Sequence, residues 1–210
     1  TMAFDFRKEY KELYLPGNQP VLVRVPMMRY LAVRGQGDPN EADGAYQQAI
    51  QVLYALAYTL KMSPRAGHKI DGFSDYVVPP LEGFWQQDSA AFDPAHKEDF
   101  RWISVIRLPD FVTQADFDWA VNAAAKKKKL DCSGAEYLML EEGLCVQMMH
   151  IGAFDNEPET VQQMDAFLAE NGFVNDFSST RWHHEIYLSD PRRVPVEKWK
   201  TVIRHPVKKK

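Results

Sequence analysis

The chain has 210 residues and a formal net charge of −4, with 45% hydrophobic and 12% aromatic residues. This length is enough to bury a hydrophobic core without disulfide bonds, and the slightly acidic composition does not favour general binding to nucleic acid. No apolar run reaches membrane-spanning length. Two cysteines and an N-terminus without an apolar signal core predict a reducing, cytoplasmic location.

The first half of the chain predicts a strand, a helix and two more strands. Residues 21–35 are strand-like, and the turn-forming DPNEADG that follows breaks the strand and caps a helix. Strands are also predicted at 74–78 and 102–108, with LEGFWQQ as an irregular segment between them. In residues 45–61 apolar side chains recur at steps of three and four, which predicts a helix on a sheet. Its core positions are Ile50, Leu53, Tyr54, Ala57 and Leu60.

A lysine run follows the next helical segment. Residues 109–129 are predicted as a crossover that carries its own helix, and Lys126–Lys129 come at its end, where cations complement the helix dipole. We therefore interpret the run as a solvated helix end rather than a nucleic-acid patch. Lys208–Lys210 are interpreted as a solvated tail.

The second half repeats this order of elements. Residues 142–152 are strand-like, FDNEPET serves as the breaker and cap, and residues 161–173 form a helix that ends at Gly172. The segments HHEIYL and KTVIRHPV supply the closing strands.

The two halves also echo each other in their residues. VPMMRYLAVRGQGDPN in the first half corresponds to VQMMHIGAFDNEP in the second. The repetition predicts two copies of a strand-helix-strand-strand unit, about 19–108 and 136–207, joined by the crossover at about 109–130. We expect the two copies to form one domain over residues 1–210, with a groove at their pseudo-twofold axis.

A glutamate lies at the centre of the strand-like RWHHEIYLSD. Alternation places Trp182, His184, Ile186 and Leu188 on one face and His183, Glu185 and Tyr187 on the other. If the first face packs under the helices, the second faces the groove, where partial desolvation would raise the pKa of Glu185. The alternative is a solvated glutamate paired with Arg181 or Arg193.

Several segments in this order resemble the GyrI-like (gyrase-inhibitor-like) family of small-molecule-binding proteins. They are LYLPGNQP, VPMMRYLAVRGQGDPN, LYALAYTLK, LEGFWQ, RWISVIRLPDFVT, HHEIYLSDPRR and KWKTVIRHPV. The resemblance covers nearly the whole chain, and it is carried by the order and spacing of the segments rather than by any one of them. It implies an α+β fold of duplicated βαββ (SHS2-type) modules, with antiparallel sheets and helices on one side, that form a single grooved domain.

The resemblance also implies a function. Family members bind bulky, flat, often cationic aromatic compounds, and stand-alone members similar to this chain hydrolyse the cyclopropane of DNA-alkylating compounds, which protects the cell. The family pattern has a glutamate among aromatic rings in the pocket, and Glu185 matches it. The alternative is a non-catalytic sequestrant or sensor of many drugs that acts through a partner. A one-chain transcription factor is disfavoured because the family pattern begins near the N-terminus.

Six residues are candidates for the site. Glu185 is the predicted general base and Tyr187 its catalytic neighbour, although ordinary strand packing also explains Tyr187. Trp85 is expected to stack on the ligand because it lies in irregular chain, although aromatic residues are more often core. Further ligand-binding candidates are His183, Tyr137 and Met148; methionine suits adaptable binding walls but also fills cores.

No metal site or cofactor is expected. His183 and His184 are adjacent, so on a strand they point to opposite faces and cannot chelate together, and the chain has no CxxC or HxxxH motif. GQGDPN lacks the lysine and glycine spacing of a phosphate loop, and no serine nucleophile elbow occurs. The expected partners are aromatic small molecules, with no direct contact to nucleic acid or membrane. The sequence leaves the oligomeric state open.

Overall fold

The computed structural model describes residues 2–88, 93 and 95–210. These residues form five α-helices and seven β-strands, and the registered strand pairs are antiparallel, which confirms the predicted α+β class. The helices are α1 Phe6–Glu9, α2 Lys11–Tyr14, α3 Ala45–Lys61, α4 Gln114–Lys128 and α5 Glu157–Asn171. The strands are β1 Val21–Gln36, β2 Leu81–Gln87, β3 Phe100–Leu108, β4 Ala135–Ile151, β5 Phe173–Asn175, β6 His183–Tyr187 and β7 Lys200–Lys209.

The chain divides into two compact units. The first consists of Thr1–Asp5, Met28–Pro79 and Trp85–Leu140, and the second of Phe6–Met27, Pro80–Phe84 and Glu141–Lys210. Strands β1, β2 and β4 each contribute residues to both units.

In the first unit, α3 packs against α4 and against β3. Strand β1 pairs with β3 from Arg29↔Leu108 to Gln36↔Arg101. The apolar side of α3 is fully buried at Leu53, Leu56 and Leu60. Helix α4 begins with a capping box, in which the Thr113 hydroxyl accepts from the Asp116 backbone N–H and the Asp116 carboxylate accepts from the Thr113 N–H. These contacts place α3 on the sheet and α4 against α3.

In the second unit, β7 is a central strand. It pairs with β4 from Cys145↔Pro206 to Ile151↔Lys200, and with β6 from His184↔Arg204 to Tyr187↔Thr201. Helix α5 ends at Gly172, whose φ of +77° is a left-handed conformation that glycine adopts without steric cost. Its apolar side joins the strands in one core, formed by Val146, Met148, Met164, Leu168, Ile203 and Val207.

Most of the predicted elements are confirmed. The helix expected at 45–61 is α3, the crossover helix is α4 with the lysine run at its end, and the strand expected at 102–108 lies within β3. Strand β1 followed by α3, and β4 followed by α5, have the expected strand-then-helix order. That the two halves are equivalent modules of one duplicated domain stays a prediction.

Four local predictions are wrong. Residues 74–78 form no strand and hold only a single bridge, Phe4↔Tyr76, whereas LEGFWQQ is strand β2 rather than an irregular segment. On α3, Tyr54 is 38% exposed and Ile50 is half-buried, because the buried stripe runs through Ala49, Val52 and Leu56 instead. At the C-terminus, Lys208 and Lys209 have exposed side chains, but their backbone belongs to β7 and pairs with β5.

Candidate functional site

Glu185 is held by its neighbours on one face of β6. The Tyr187 hydroxyl donates to Glu185 Oε1 at 2.8 Å, and His183 Nε2 lies 2.9 Å from Glu185 Oε2. The prediction that these three side chains share a face is confirmed. Arg181 instead bonds Asp176, and Arg193 lies nearest Asp190, so neither pairs with Glu185. Glu185 is only 8% exposed, and its hydrogen bonds allow a carboxylate to lie buried at the centre of a strand.

A second carboxyl group, that of Glu157, faces the row formed by His183, Glu185 and Tyr187 on β6. Glu157 lies in the first turn of α5, with its Oε2 3.9 Å from His183 Nε2. Burial raises the pKa of Glu157 well above its usual range, and the charge of Glu185 and a hydrogen bond to Glu185 raise it further. Glu157 is therefore the carboxyl of the pair that binds a proton more readily.

The pKa of Glu185 is shifted in the opposite direction. Burial alone would raise the pKa of Glu185, but hydrogen bonds from Glu157, His183 and Tyr187 and the positive charge of His183 lower it to about 2. The expectation of a raised pKa at Glu185 is therefore wrong. Its physical cause is the set of donors around the carboxylate, which stabilise the ionised form more than burial destabilises it. The two carboxyls are coupled, and Glu157 binds a proton more tightly than Glu185.

His183 is itself positioned by a buried histidine. His183 Nδ1 lies 2.6 Å from Nε2 of His205, a residue on β7 that is 4% exposed. When His183 carries the positive charge that lowers the pKa of Glu185, its Nε2–H donates to Glu185 and its Nδ1–H donates to Nε2 of neutral His205. Burial lowers the pKa of His205 well below its usual range, with a further lowering by the charge of His183. Both nitrogens of His183 are thus engaged, so this ring orients Glu185 in addition to its predicted contact with ligand.

Exposed aromatic rings accompany the row in the second unit. Phe154, 46% exposed, lies 5.8 Å edge-on from the ring of Tyr187 and 5.4 Å from that of Trp199. Phe177, 49% exposed, has its ring 4.9 Å from that of His205. Phe154 and Phe177 therefore add exposed aromatic surface beside the side chains that surround Glu185.

The other face of β6 carries a buried ion cluster. His184 is fully buried, with Nε2 2.7 Å from Glu82 Oε1 and Nδ1 2.9 Å from Glu142 Oε1, and its ring stacks on that of Phe84 at 4.0 Å. Burial lowers the pKa of His184, but the charge of Glu142 and hydrogen bonds to both carboxylates outweigh it, so the net shift is upward. Arg204 completes the cluster, 3.3 Å from Glu142 and bonded to the backbone oxygen of Leu13 at 2.7 Å.

The remaining predicted residues have other surroundings. Trp85 lies on β2 in the first unit, with its ring 5.4 Å from Tyr46 and 5.8 Å from Phe100. Tyr137, also in the first unit, donates from its hydroxyl to the Val112 oxygen at 2.8 Å. Met148 is 2% exposed and packs in the core of the second unit.

A model of the GyrI-like small molecule binding domain matches residues 18–208. The chain belongs to this family. It is 46% identical to a hydrolase from Listeria innocua with a TM-score of 0.89, over 98% of this chain and all of that one. It is 48% identical to an uncharacterized conserved protein from Listeria innocua with a TM-score of 0.93, over 98% and 100% of the two chains. No curated protein matches it.

A more distant likeness concerns the fold of this GyrI-like chain alone. The C-terminal domain of EcmrR is 12% identical, with a TM-score of 0.56 over 91% of this chain and 98% of that domain. Within the described part of the chain, no helix is both long and apolar enough to span a membrane.

The donor atoms of Glu157, His183 and Glu185 lie within 4.8 Å of one another. Two carboxylates and an imidazole are ligands that a divalent cation accepts, so this trio has the composition of a metal site. In the structure the same side chains are joined by hydrogen bonds.

Two members of the site were missed in the sequence. Glu157 was interpreted as part of a helix cap, and His205 as an ordinary strand residue. An acidic residue in the first turn of a helix is expected for capping alone, so only the tertiary structure reveals that Glu157 meets Glu185.

Proposed function

We propose that this GyrI-like protein binds bulky, flat aromatic compounds, often cationic, and opens the cyclopropane of electrophilic, DNA-alkylating compounds with water. The observation that carries the proposal is the hydrogen-bonded Glu185–Glu157 pair, in which the pKa of Glu185 is lowered and that of Glu157 is raised. Two titratable groups with pKa values driven apart are the arrangement that assigns a base and an acid.

The proposed reaction needs both an ionised carboxylate and a protonated carboxyl group. In a cyclopropane conjugated with a carbonyl group, water attacks a ring carbon, a carbon–carbon bond of the ring breaks, and its electron pair passes to the carbonyl oxygen. Glu185 accepts the proton that the water loses, and protonated Glu157 gives a proton to the developing oxyanion. The proton on Glu185 then returns to Glu157, because the two carboxyls are hydrogen-bonded. The product of the whole reaction is the substrate with one molecule of water added.

The surrounding residues have separate roles in this proposal. Tyr187 and His183 donate to Glu185 and hold its oxygens in place. Phe154 and Phe177 supply exposed ring surface in the same unit. Trp85, in the first unit, stays a separate proposal as a stacking residue. The negative charge of Glu185 attracts cationic rings. The similarity to a Listeria innocua protein described as a hydrolase supports turnover rather than binding alone.

A second candidate is a non-catalytic sequestrant or sensor. The low pKa of Glu185 favours it, because a carboxylate with a pKa of about 2 is a weak base and yet a permanent charge for cationic ligands. In this function the same pair would hold the ligand without a chemical step.

The deciding experiment measures single-turnover ring opening of a spirocyclopropyl cyclohexadienone, with ¹⁸O-water incorporation read by mass spectrometry. Glu185→Gln keeps the shape but cannot accept a proton, so a loss of about 10²–10⁴-fold is expected. Glu157→Gln should also slow the reaction, whereas the exposed Glu159→Gln on the same helix is the matched control and should not.

Circular dichroism checks the fold of each variant. Equal rates in the wild type and Glu185→Gln would contradict the assignment of the base. Binding of a planar aromatic cation without ring opening in any of the four proteins would support the sequestrant.

A further inference from the structure

A groove on the first unit lies between α3 and α4. It has a volume of about 630 Å³, within the range of about 300–1,000 Å³ that small-molecule sites occupy. Its walls carry the rings of Tyr54, Tyr58 and Trp119, and two lysines of the run at the end of α4, Lys127 and Lys128, also line it. The proposed hydrolytic site uses none of these residues.

The α3 wall of the groove exposes large side chains. Tyr54, Tyr58 and Met62 are 38%, 53% and 36% exposed, and their spacing of four places them on one helical face. The rings of Tyr54 and Tyr58 lie 6.4 Å apart at an angle of 24°. The opposite side of α3 already supplies the core, so this second stripe of ring surface is not explained by folding.

The α4 wall is fixed in place before any ligand arrives. The ring of Trp119 stacks on His68 with 4.0 Å between centroids and 8° between planes. His68 Nε2 in turn lies 2.8 Å from Asp116 Oδ1, and Asp116 caps the helix. An aromatic wall held by such contacts loses little conformational entropy when a flat ring binds.

The lysines give the groove a charge. Lys127 and Lys128 are exposed and line the groove, whereas Lys126 and Lys129 are exposed but do not. Among the described residues, no carboxylate forms an ion pair with Lys127 or Lys128. Two ammonium groups beside three aromatic rings attract an anion and repel a cation.

We propose that this groove is a second binding site, which takes a flat aromatic anion: a ring system that packs against Tyr54, Tyr58 and Trp119, with a carboxylate or sulfonate directed at Lys127 and Lys128. Its preferred charge is opposite to that of the cationic ligands proposed for the second unit.

The test uses three probes with one ring system: 2-naphthalenesulfonate, 2-naphthylmethanol and 2-naphthylmethylammonium. Binding to the full chain is followed by the indole N–H signal of Trp119, assigned with Trp119→Phe. We expect the sulfonate to bind most tightly and the ammonium most weakly. Lys127→Gln/Lys128→Gln should weaken sulfonate binding about fivefold. Lys126→Gln/Lys129→Gln removes the same charge outside the groove and should leave it unchanged.

Tyr58→Ala should weaken all three probes, because it removes ring surface that they share; circular dichroism confirms that each variant folds. Equal weakening by the two lysine pairs, a preference for the ammonium probe, or no shift of the Trp119 signal with any probe would each overturn the proposal. Because every readout is the signal of Trp119 in this groove, the results are independent of ring opening.

Discussion

Replacement of His184 by leucine tests the buried ion cluster on β6. In the folded protein the charges of His184 and Arg204 offset those of Glu82 and Glu142, and all four side chains are at least nine-tenths buried. Leucine fills a similar volume but leaves one carboxylate without a counterion. Removal of one partner from a buried ion pair costs about 3–5 kcal/mol, so we expect the free energy of unfolding to fall by this amount.

The loss of stability caused by His184→Leu should depend on pH. The pKa of His184 is raised in the folded state, so the stability that this imidazole contributes is complete below its unfolded pKa of about 6.5. That contribution is lost as the pH rises through the folded-state pKa. The difference between wild type and His184→Leu should therefore be largest near pH 6 and smaller in alkaline solution.

Urea denaturation followed by circular dichroism measures the difference at each pH. His150→Leu is the matched control, since His150 is also buried but bonds the Thr160 hydroxyl and the Ala153 oxygen instead of carboxylates. It should cost about 1–3 kcal/mol. The double variant His184→Leu/Glu82→Leu restores charge balance and should recover part of the loss. A loss below about 1 kcal/mol in His184→Leu at pH 6 would refute this account of the cluster.

Three further predictions concern other positions. Glu157→Gln should stabilise the protein at pH 7 by roughly 1–3 kcal/mol, since a carboxyl with a raised pKa destabilises the fold as pH rises above about 4.5; the gain in urea denaturation should vanish near pH 4. Trp85→Ala should weaken micromolar binding of a planar aromatic cation by about 0.5–2 kcal/mol in isothermal titration, and unchanged affinity would remove Trp85 from the site. Gly35→Ala should lower the thermal midpoint at a cost of about 1–3 kcal/mol, because an added Cβ would overlap the Trp102 ring; an unchanged midpoint would show that the ring can shift.

The sequence predicted those elements whose side chains repeat with a clear period. Helix α3 was predicted with its observed bounds because apolar residues recur along it at helical steps. Strand β2 was missed because Glu82, Gly83 and Phe84 are buried in succession, so no alternation marks it. Residues 74–78 looked like a strand, yet their backbone pairs only with Phe4, through a single bridge at Tyr76. Local pattern thus also predicts a fully buried strand such as β3, which is rich in branched and aromatic residues, but not β2, where a glutamate and a glycine occupy buried positions.

For the site, alternation along the strand was a reliable guide. It placed His183, Glu185 and Tyr187 on one face, and their hydrogen bonds follow from that placement. The direction in which the pKa of Glu185 shifts could not be predicted in the same way. It depends on hydrogen-bond donors that include Glu157, which is far away in the chain. The alternation of side chains along a strand determines which of them are neighbours on one face. The protonation state of a side chain depends instead on groups that only the tertiary fold brings together.

The contacts on the two faces of β6 both depend on the register in which β6 pairs with β7. A slip of one residue against β7 would exchange the faces of the strand, so that His184 would leave Glu82 and Glu142 while Glu185 would lose the donors that stabilise its charge. Both losses leave carboxylates buried without partners, which is far more costly than the loss of apolar contacts. Apolar residues on the buried face would tolerate small shifts more easily, because dispersion contacts are not directional. We infer that the ion cluster of His184 fixes the register of β6, and that this register sets where Glu185 meets Glu157.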